Sequence, residues 1–196
     1  MNNNNNNNSN NIEPVLGIDP GKTGGLALLG PSSYYVAPHI LACEPMPLRA
    51  SPIGKREKRP PMSKMRVCPD LLFATAQEWH SRFGIGLIAI ENVNAAPGQS
   101  PSGSFRFGEA FGIVQTLGAL LQVPMVFTTP QEWKRHYGLG GGNKKRSIST
   151  AIDLIDGWPK VPTDGPAEAA LIALYAKKRM ALVAQHQQDQ HQQERN

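Results

Sequence analysis

Residues 86–90 read Gly-Leu-Ile-Ala-Ile, an apolar run without polar alternation that ends abruptly on Glu91. A strand with one face in water alternates apolar and polar positions. A run that does not alternate predicts a strand covered on both faces. A second apolar run, Val15-Leu16-Gly17-Ile18, ends in the same way on Asp19. Residues 20–24 then read as a turn, and residues 25–30 return as a strand, which makes a hairpin.

The remaining pattern alternates. A third strand is expected within residues 34–42, followed by an exposed loop, rich in proline and basic residues, over 44–69. Asp70 is expected to cap a helix running to about Phe83, with Leu71, Leu72, Ala74, Ala76 and Trp79 among its apolar positions. Phe107, Phe111, Val114, Leu117, Leu120 and Leu121 recur at helical spacing and predict a helix over 104–122. Residues 123–127 suit a further strand. Short helices are expected from Pro130 and from Lys144, and a last one from about Gly165 to Val183. There is no internal repeat. A hairpin-linked start followed by alternating helices and strands implies an α/β fold, a mixed five-stranded sheet flanked by helices.

Both ends fall outside this pattern. Positions 2–8 are all Asn, Asn10 and Asn11 extend the run, and positions 185–196 are rich in Gln. Neither segment has apolar side chains whose burial offsets the entropy of ordering. Residues 1–11 and 185–196 are therefore expected as disordered tails around one domain at 12–184, roughly 170 residues.

The formal net charge is +5 and the pI about 9.4. The charge is clustered. Lys55, Arg56, Lys58, Arg59, Lys64 and Arg66 face a single acid, Glu57, and a second group comprises Lys134, Arg135, Lys144, Lys145 and Arg146. Such clusters are either solvated loops or contacts for a polyanion such as nucleic acid. Cys43 and Cys68 lack the paired spacing of a zinc site. No apolar stretch is long enough for a membrane span, and the N-terminus has the order of neither a signal nor a transit peptide. The expected compartment is reducing and free of membrane: the cytoplasm, with an organelle as the alternative.

Four acids stand out by position. Asp19 and Glu91 end apolar strands, while Asp164 and Glu168 open the last helix. A carboxylate at the rim of an apolar core is costly to ionise unless a cation or hydrogen-bond donors meet it. The strand ends converge if the two strands are parallel neighbours. Asp164 and Glu168, four apart, share a helix face, with Cβ atoms about 5–6 Å apart. Oxygen ligands in this number suit Mg²⁺ or Mn²⁺, and two such ions about 4 Å apart can activate water against a phosphodiester. Each acid also has a plainer reading. Asp19 can open a turn, Asp164 can cap a helix, Glu168 can complement the helix dipole, and Glu91 can be an exposed strand end.

Gly17-Ile18-Asp19-Pro20-Gly21, Ile90-Glu91-Asn92-Val93 and residues 164–173, Asp-Gly-Pro-Ala-Glu-Ala-Ala-Leu-Ile-Ala, resemble RuvC-type Holliday junction resolvases, above all the phage-encoded and plant chloroplast branch. Met46-Pro47, Pro97-Gly98-Gln99, Phe107-Gly108 and residues 129–134, Thr-Pro-Gln-Glu-Trp-Lys, support it in order along residues 14–178. The resemblance implies a ribonuclease H-like fold and a magnesium-dependent endonuclease, with Mn²⁺ as a substitute and two ions per site. It also implies a homodimer that nicks a four-way DNA junction symmetrically. Asp19, Glu91, Asp164 and Glu168 take the family's catalytic and metal-binding positions. Lys134, Lys144, Lys145, Arg146, Gln99 and Arg106 are the candidate DNA contacts.

The departures are specific. The last two acids are four apart where bacterial RuvC has three, which leaves Asp164 either a ligand or a cap. Pro166 stands where the branch often has arginine. Ala95-Ala96 lies where a bulky side chain often probes the junction; Phe105 and Phe107 are substitutes, or core residues. The loop from Pro97 to Ser104 is expected to be mobile. Other readings are a ribonuclease H-like nuclease for flaps or RNA–DNA hybrids, an inactive DNA-binding relative, and an ATP-binding protein of the actin and sugar-kinase type. The last rests on Gly17-Ile18-Asp19 with Thr23-Gly24-Gly25 and lacks a second phosphate loop.

Overall fold

The structure, a computed structural model, describes residues 13–31, 37–50, 64–92, 98, 100–140 and 144–193. The poly-Asn segment, Lys55–Arg59, Ala95-Ala96 and Gln99 lie outside them, as does the side chain of Lys144. The described elements run β1 (Val15–Asp19), β2 (Gly25–Leu29), β3 (Ile40–Pro45), β4 (Leu48–Ala50), β5 (Met65–Val67), α1 (Pro69–Phe83), β6 (Leu87–Glu91), α2 (Pro101–Leu121), β7 (Met125–Thr128), α3 (Pro130–His136), α4 (Lys144–Leu154) and α5 (Asp164–Gln193). Five strands form one sheet in the order β3-β2-β1-β6-β7. The β1–β2 and β2–β3 pairs are antiparallel; β1–β6 and β6–β7 are parallel. This is the expected mixed sheet.

All five residues of β6 are buried, and the lack of alternation has a clear cause. Val15, Leu87 and Ala89 pack under α4, α5 and Trp133, while Leu16, Ile18, Ile88 and Ile90 pack under α1 and α2. Both sets of side chains leave the pleat into a helix layer. Among the described residues no helix is long and apolar enough to cross a membrane.

Four expectations are corrected. Within 44–69, Leu48–Ala50 and Met65–Val67 pair as a small ribbon instead of a loop, because Val67 is buried against the α1 and α2 core. Asp70 does not cap α1: Cys68 holds that position, Pro69 starts the helix, and Asp70 sits in the first turn bridged to Arg49 at 2.8 Å. Helix α2 begins earlier than predicted, at Pro101, because the Ser100 hydroxyl accepts from the Gly103 amide; residues 101–104 are thus helical. Helix α5 continues through Gln193, past Val183 and into the segment expected to be a disordered tail. Residues 184–193 hold neither Gly nor Pro, so a helix already anchored by its apolar first half propagates at little cost.

One close approach places α5. A Cβ on Gly17 would overlap the backbone carbonyl of Ala169, and one on Gly25 would meet Pro166. Gly24 and Gly165 form a parallel bridge, with no room for a side chain on either. The α5 face that meets the sheet is correspondingly small: Ala167, Ala169, Ala170 and Ala173 are fully buried. Gly17→Ala should therefore destabilise the protein by about 1–3 kcal/mol or more, as overpacking against rigid backbone does, read as a lower urea midpoint. A midpoint equal to that of the unaltered chain would show that α5 can move aside.

Candidate active site

The sheet delivers two carboxylates to one edge. In the parallel β1–β6 register Ile18 pairs with Ile90, so the next residues, Asp19 and Glu91, end neighbouring strands roughly 4.8 Å apart. Side chains alternate along a strand. Asp19 shares its face with Val15 and Gly17, and Glu91 shares its face with Leu87 and Ala89, all on the α5 side. The glycine contacts that seat α5 bring its first turns, with Asp164 and Glu168, to the same edge. The strand-end and helix-face expectations thus meet in one place. Glu91 is only 6% exposed, against the plainer reading of it as an exposed strand end.

Each acid has its own donors. The Gly21 amide donates to Asp19 Oδ1 at 3.2 Å, so Asp19 does open the turn and still belongs to the cluster. Trp133 Nε1 donates to Glu91 Oε1 at 2.9 Å. On Glu168, Oε1 accepts from Ser147 Oγ at 2.9 Å and lies 3.5 Å from Lys134 Nζ. Trp133 and Lys134 come from α3, whose entry is locked by Pro130 at its first position and a Thr129–Glu132 capping box.

Burial, and then the neighbouring acids, raise the carboxyls of Asp19 and Glu91. The carboxyl of Asp19 is pushed up from 3.8 to about 6, first by burial and then by the negative charges of Glu168 and Asp164; the Gly21 amide and Lys134 oppose this. Glu91 is pushed up from 4.5 to about 7, again first by burial, then by Asp19 and Glu168, against the Trp133 hydrogen bond and Lys134. Asp164 thus bears on Asp19 while standing in the first turn of α5, where a helix-dipole acid stands.

The donor set is hard oxygen, the kind that Mg²⁺ and Mn²⁺ take, and a cation would relieve the crowding. Among the described residues no three His, Cys, Asp or Glu side chains are already gathered as a ligand set.

The basic candidates divide. Lys134 reaches the cluster. Lys145 and Arg146 are exposed at the start of α4, immediately before Ser147. Arg106 lies on α2, in the helix layer on the opposite face of the sheet. Phe105, for which core packing was the plainer reading, is 77% exposed in the first turns of α2, whereas Phe107 is partly buried. Trp133 and Ser147 were missed as site residues. Trp133 had a signal, lying inside the 129–134 motif beside Lys134. Ser147 had none, because nothing in the sequence separates it from Ser149.

No family model and no curated protein matches the chain. Solved structures do. Thermus thermophilus RuvC in complex with a Holliday junction substrate is 21% identical, with a TM-score of 0.60 over 85% of this chain and 96% of that one. The same protein in a second structure gives 22% and 0.58, over 85% and 96%. The yeast mitochondrial Holliday junction resolvase gives 15% and 0.56, over 92% of this chain and 86% of that one. The fold is that of RuvC. The five-stranded order and the helices on both faces of the sheet are accordingly those of the ribonuclease H-like class. The likeness to the phage and chloroplast branch rests on the sequence motifs alone.

A raised carboxyl favours the folded protein while it is protonated. That contribution is full below the ordinary values of 3.8 and 4.5, and is lost as pH rises through about 6 for Asp19 and about 7 for Glu91. In chelator at pH 8, Asp19→Asn should therefore melt at least about 2 °C above the unaltered protein, the shift that roughly 1 kcal/mol gives in a chain of this size. The gap should close toward pH 4. Mg²⁺ or Mn²⁺ should raise the Tm of the unaltered protein more at pH 8 than at pH 5, and barely that of the variant. Equal melting of the two proteins in chelator at pH 8 would count against a crowded Asp19.

Proposed function

We propose that this chain is a divalent-metal-dependent endonuclease that resolves four-way DNA junctions as a homodimer. The observation that carries the reading is the meeting of Asp19, Glu91 and Glu168, with Asp164 beside them, at one sheet edge of a RuvC fold. Held by these four carboxylates, two Mg²⁺ ions, or Mn²⁺ in their place, would supply a nucleophile from water and stabilise the leaving oxygen of the phosphodiester.

The chain's own residues have distinct parts in this reading. Asp19 is the central ligand, since it bears on Glu91 and is itself acted on by the two α5 acids. Lys134 Nζ lies 3.5 Å from Glu168 Oε1, where it can balance the acids and meet a phosphate. Lys145 and Arg146, exposed next to Ser147, suit the sequence-independent contacts to phosphate that position DNA. Two symmetric nicks need two equivalent sites, which a two-fold dimer supplies. The acids alone do not separate a junction from a flap or an RNA–DNA hybrid, so the substrate comparison belongs in the test.

A synthetic four-way junction should be cut in Mg²⁺ by paired nicks and left whole in chelator, with flaps and hybrids cut far more slowly. Preference for a hybrid or flap would move the assignment to another nuclease of the same fold. Asp19→Asn should lose at least about 100-fold in cleavage rate, more than the loss common for residues behind the ligands, while still binding the junction. Lys134→Ala should weaken both junction affinity and cutting, and lower the salt dependence of binding by about one counterion. Affinity and rate both unchanged in that variant would remove Lys134 from the DNA-contacting set.

A further inference from the structure

We propose that Trp133 is a positioning residue for Glu91: its indole N–H holds Oε1 and keeps Oε2 as the oxygen open to a divalent cation. This rests on the reading of the acid cluster as a metal site.

Glu91 ends β6 with its backbone paired to Thr128 of β7, but a glutamate side chain has three further torsions. In a buried site with like charges around it, nothing in the strand chooses among their settings. The indole does choose. Trp133 is fully buried, and its 2.9 Å hydrogen bond to Glu91 lies wholly inside the protein. It is carried by α3, where the Thr129 hydroxyl accepts from the Glu132 amide at 3.3 Å and the Thr129 amide donates to Glu132 Oε2 at 2.7 Å. The donor therefore sits on a closed, capped helix end and not on a free loop.

An indole N–H also suits the task chemically. It is a donor only, with no lone pair to compete for a cation and no charge to add to the crowding. Groups behind a metal's ligands orient them, and their removal commonly weakens metal binding by about 10- to 100-fold. Glu168 is held differently, by Ser147 and Lys134 together, so it depends less on either one. A plain packing role for Trp133 predicts otherwise: the ring would matter and its N–H would not.

The experiment is Mn²⁺ binding to the full chain by titration calorimetry, paired with the Mn²⁺ dependence of junction cleavage. Trp133→Phe should weaken Mn²⁺ about 10- to 100-fold, with cleavage largely recovered at saturating Mn²⁺. Ser147→Ala should cost clearly less. If Trp133→Phe does not fold, β-(3-benzothienyl)alanine at 133 keeps the bicyclic shape, replaces the N–H by sulfur, and should show the same loss. An affinity within about twofold of the parent (less than about 0.4 kcal/mol) in a folded variant overturns the positioning role. If the parent binds Mn²⁺, Asp19→Asn abolishes it and the 133 variants keep it, only this inference falls. A parent that binds no Mn²⁺ overturns the metal site and this inference with it.

Discussion

The contact between α5 and the β1–β2 hairpin is the constraint on which the rest depends. Backbone meets backbone there, with Gly17 under Ala169 and Gly24 bridged to Gly165. Closeness of this kind needs hydrogen in place of a side chain, on one partner at Gly17 and on both where Gly24 meets Gly165. It seats the helix at a fixed height on the sheet, and the helix start then falls beside the ends of β1 and β6. A helix riding higher on larger side chains would still cover the core. It would set Glu168 farther from Asp19 and weaken the interaction between them.

That placement carries a thermodynamic cost. Asp19 and Glu91 both ionise reluctantly, chiefly because they are buried and then because acids face them. The surroundings offset the crowding with neutral or single donors: an amide at Asp19, an indole at Glu91, a hydroxyl and one ammonium at Glu168. None of these neutralises the cluster outright. Acids left without full compensation at the rim of a core cost the fold stability whenever they ionise.

Much of this was legible in the chain. The two apolar runs ending on Asp19 and Glu91 predicted strands, the second covered on both faces, but that the two are parallel neighbours is set by the sheet. The four acids were legible because each sits at the end of an element. The misreadings have local causes. The β4–β5 ribbon was hidden because three-residue strands carry too little pattern to separate from a loop. Asp70 looked like a cap because acids favour both the cap and the first turn. The last helix looked shorter than it is because apolar periodicity marks where a helix is packed and not where it stops.

What the sequence determined by itself was the main strands and helices and the acids that stand at their ends, since both follow from patterns along neighbouring residues. What only the tertiary structure decided was who attends those acids. Trp133 lies 42 positions from Glu91, and Ser147 lies 21 from Glu168. No periodicity spans such gaps. A buried indole or a single hydroxyl is chemically silent until folding brings an acceptor to within 2.9 Å of it. The acids announce themselves because a charge at the edge of a core is anomalous anywhere in a chain; their donors are ordinary residues made specific by distance alone.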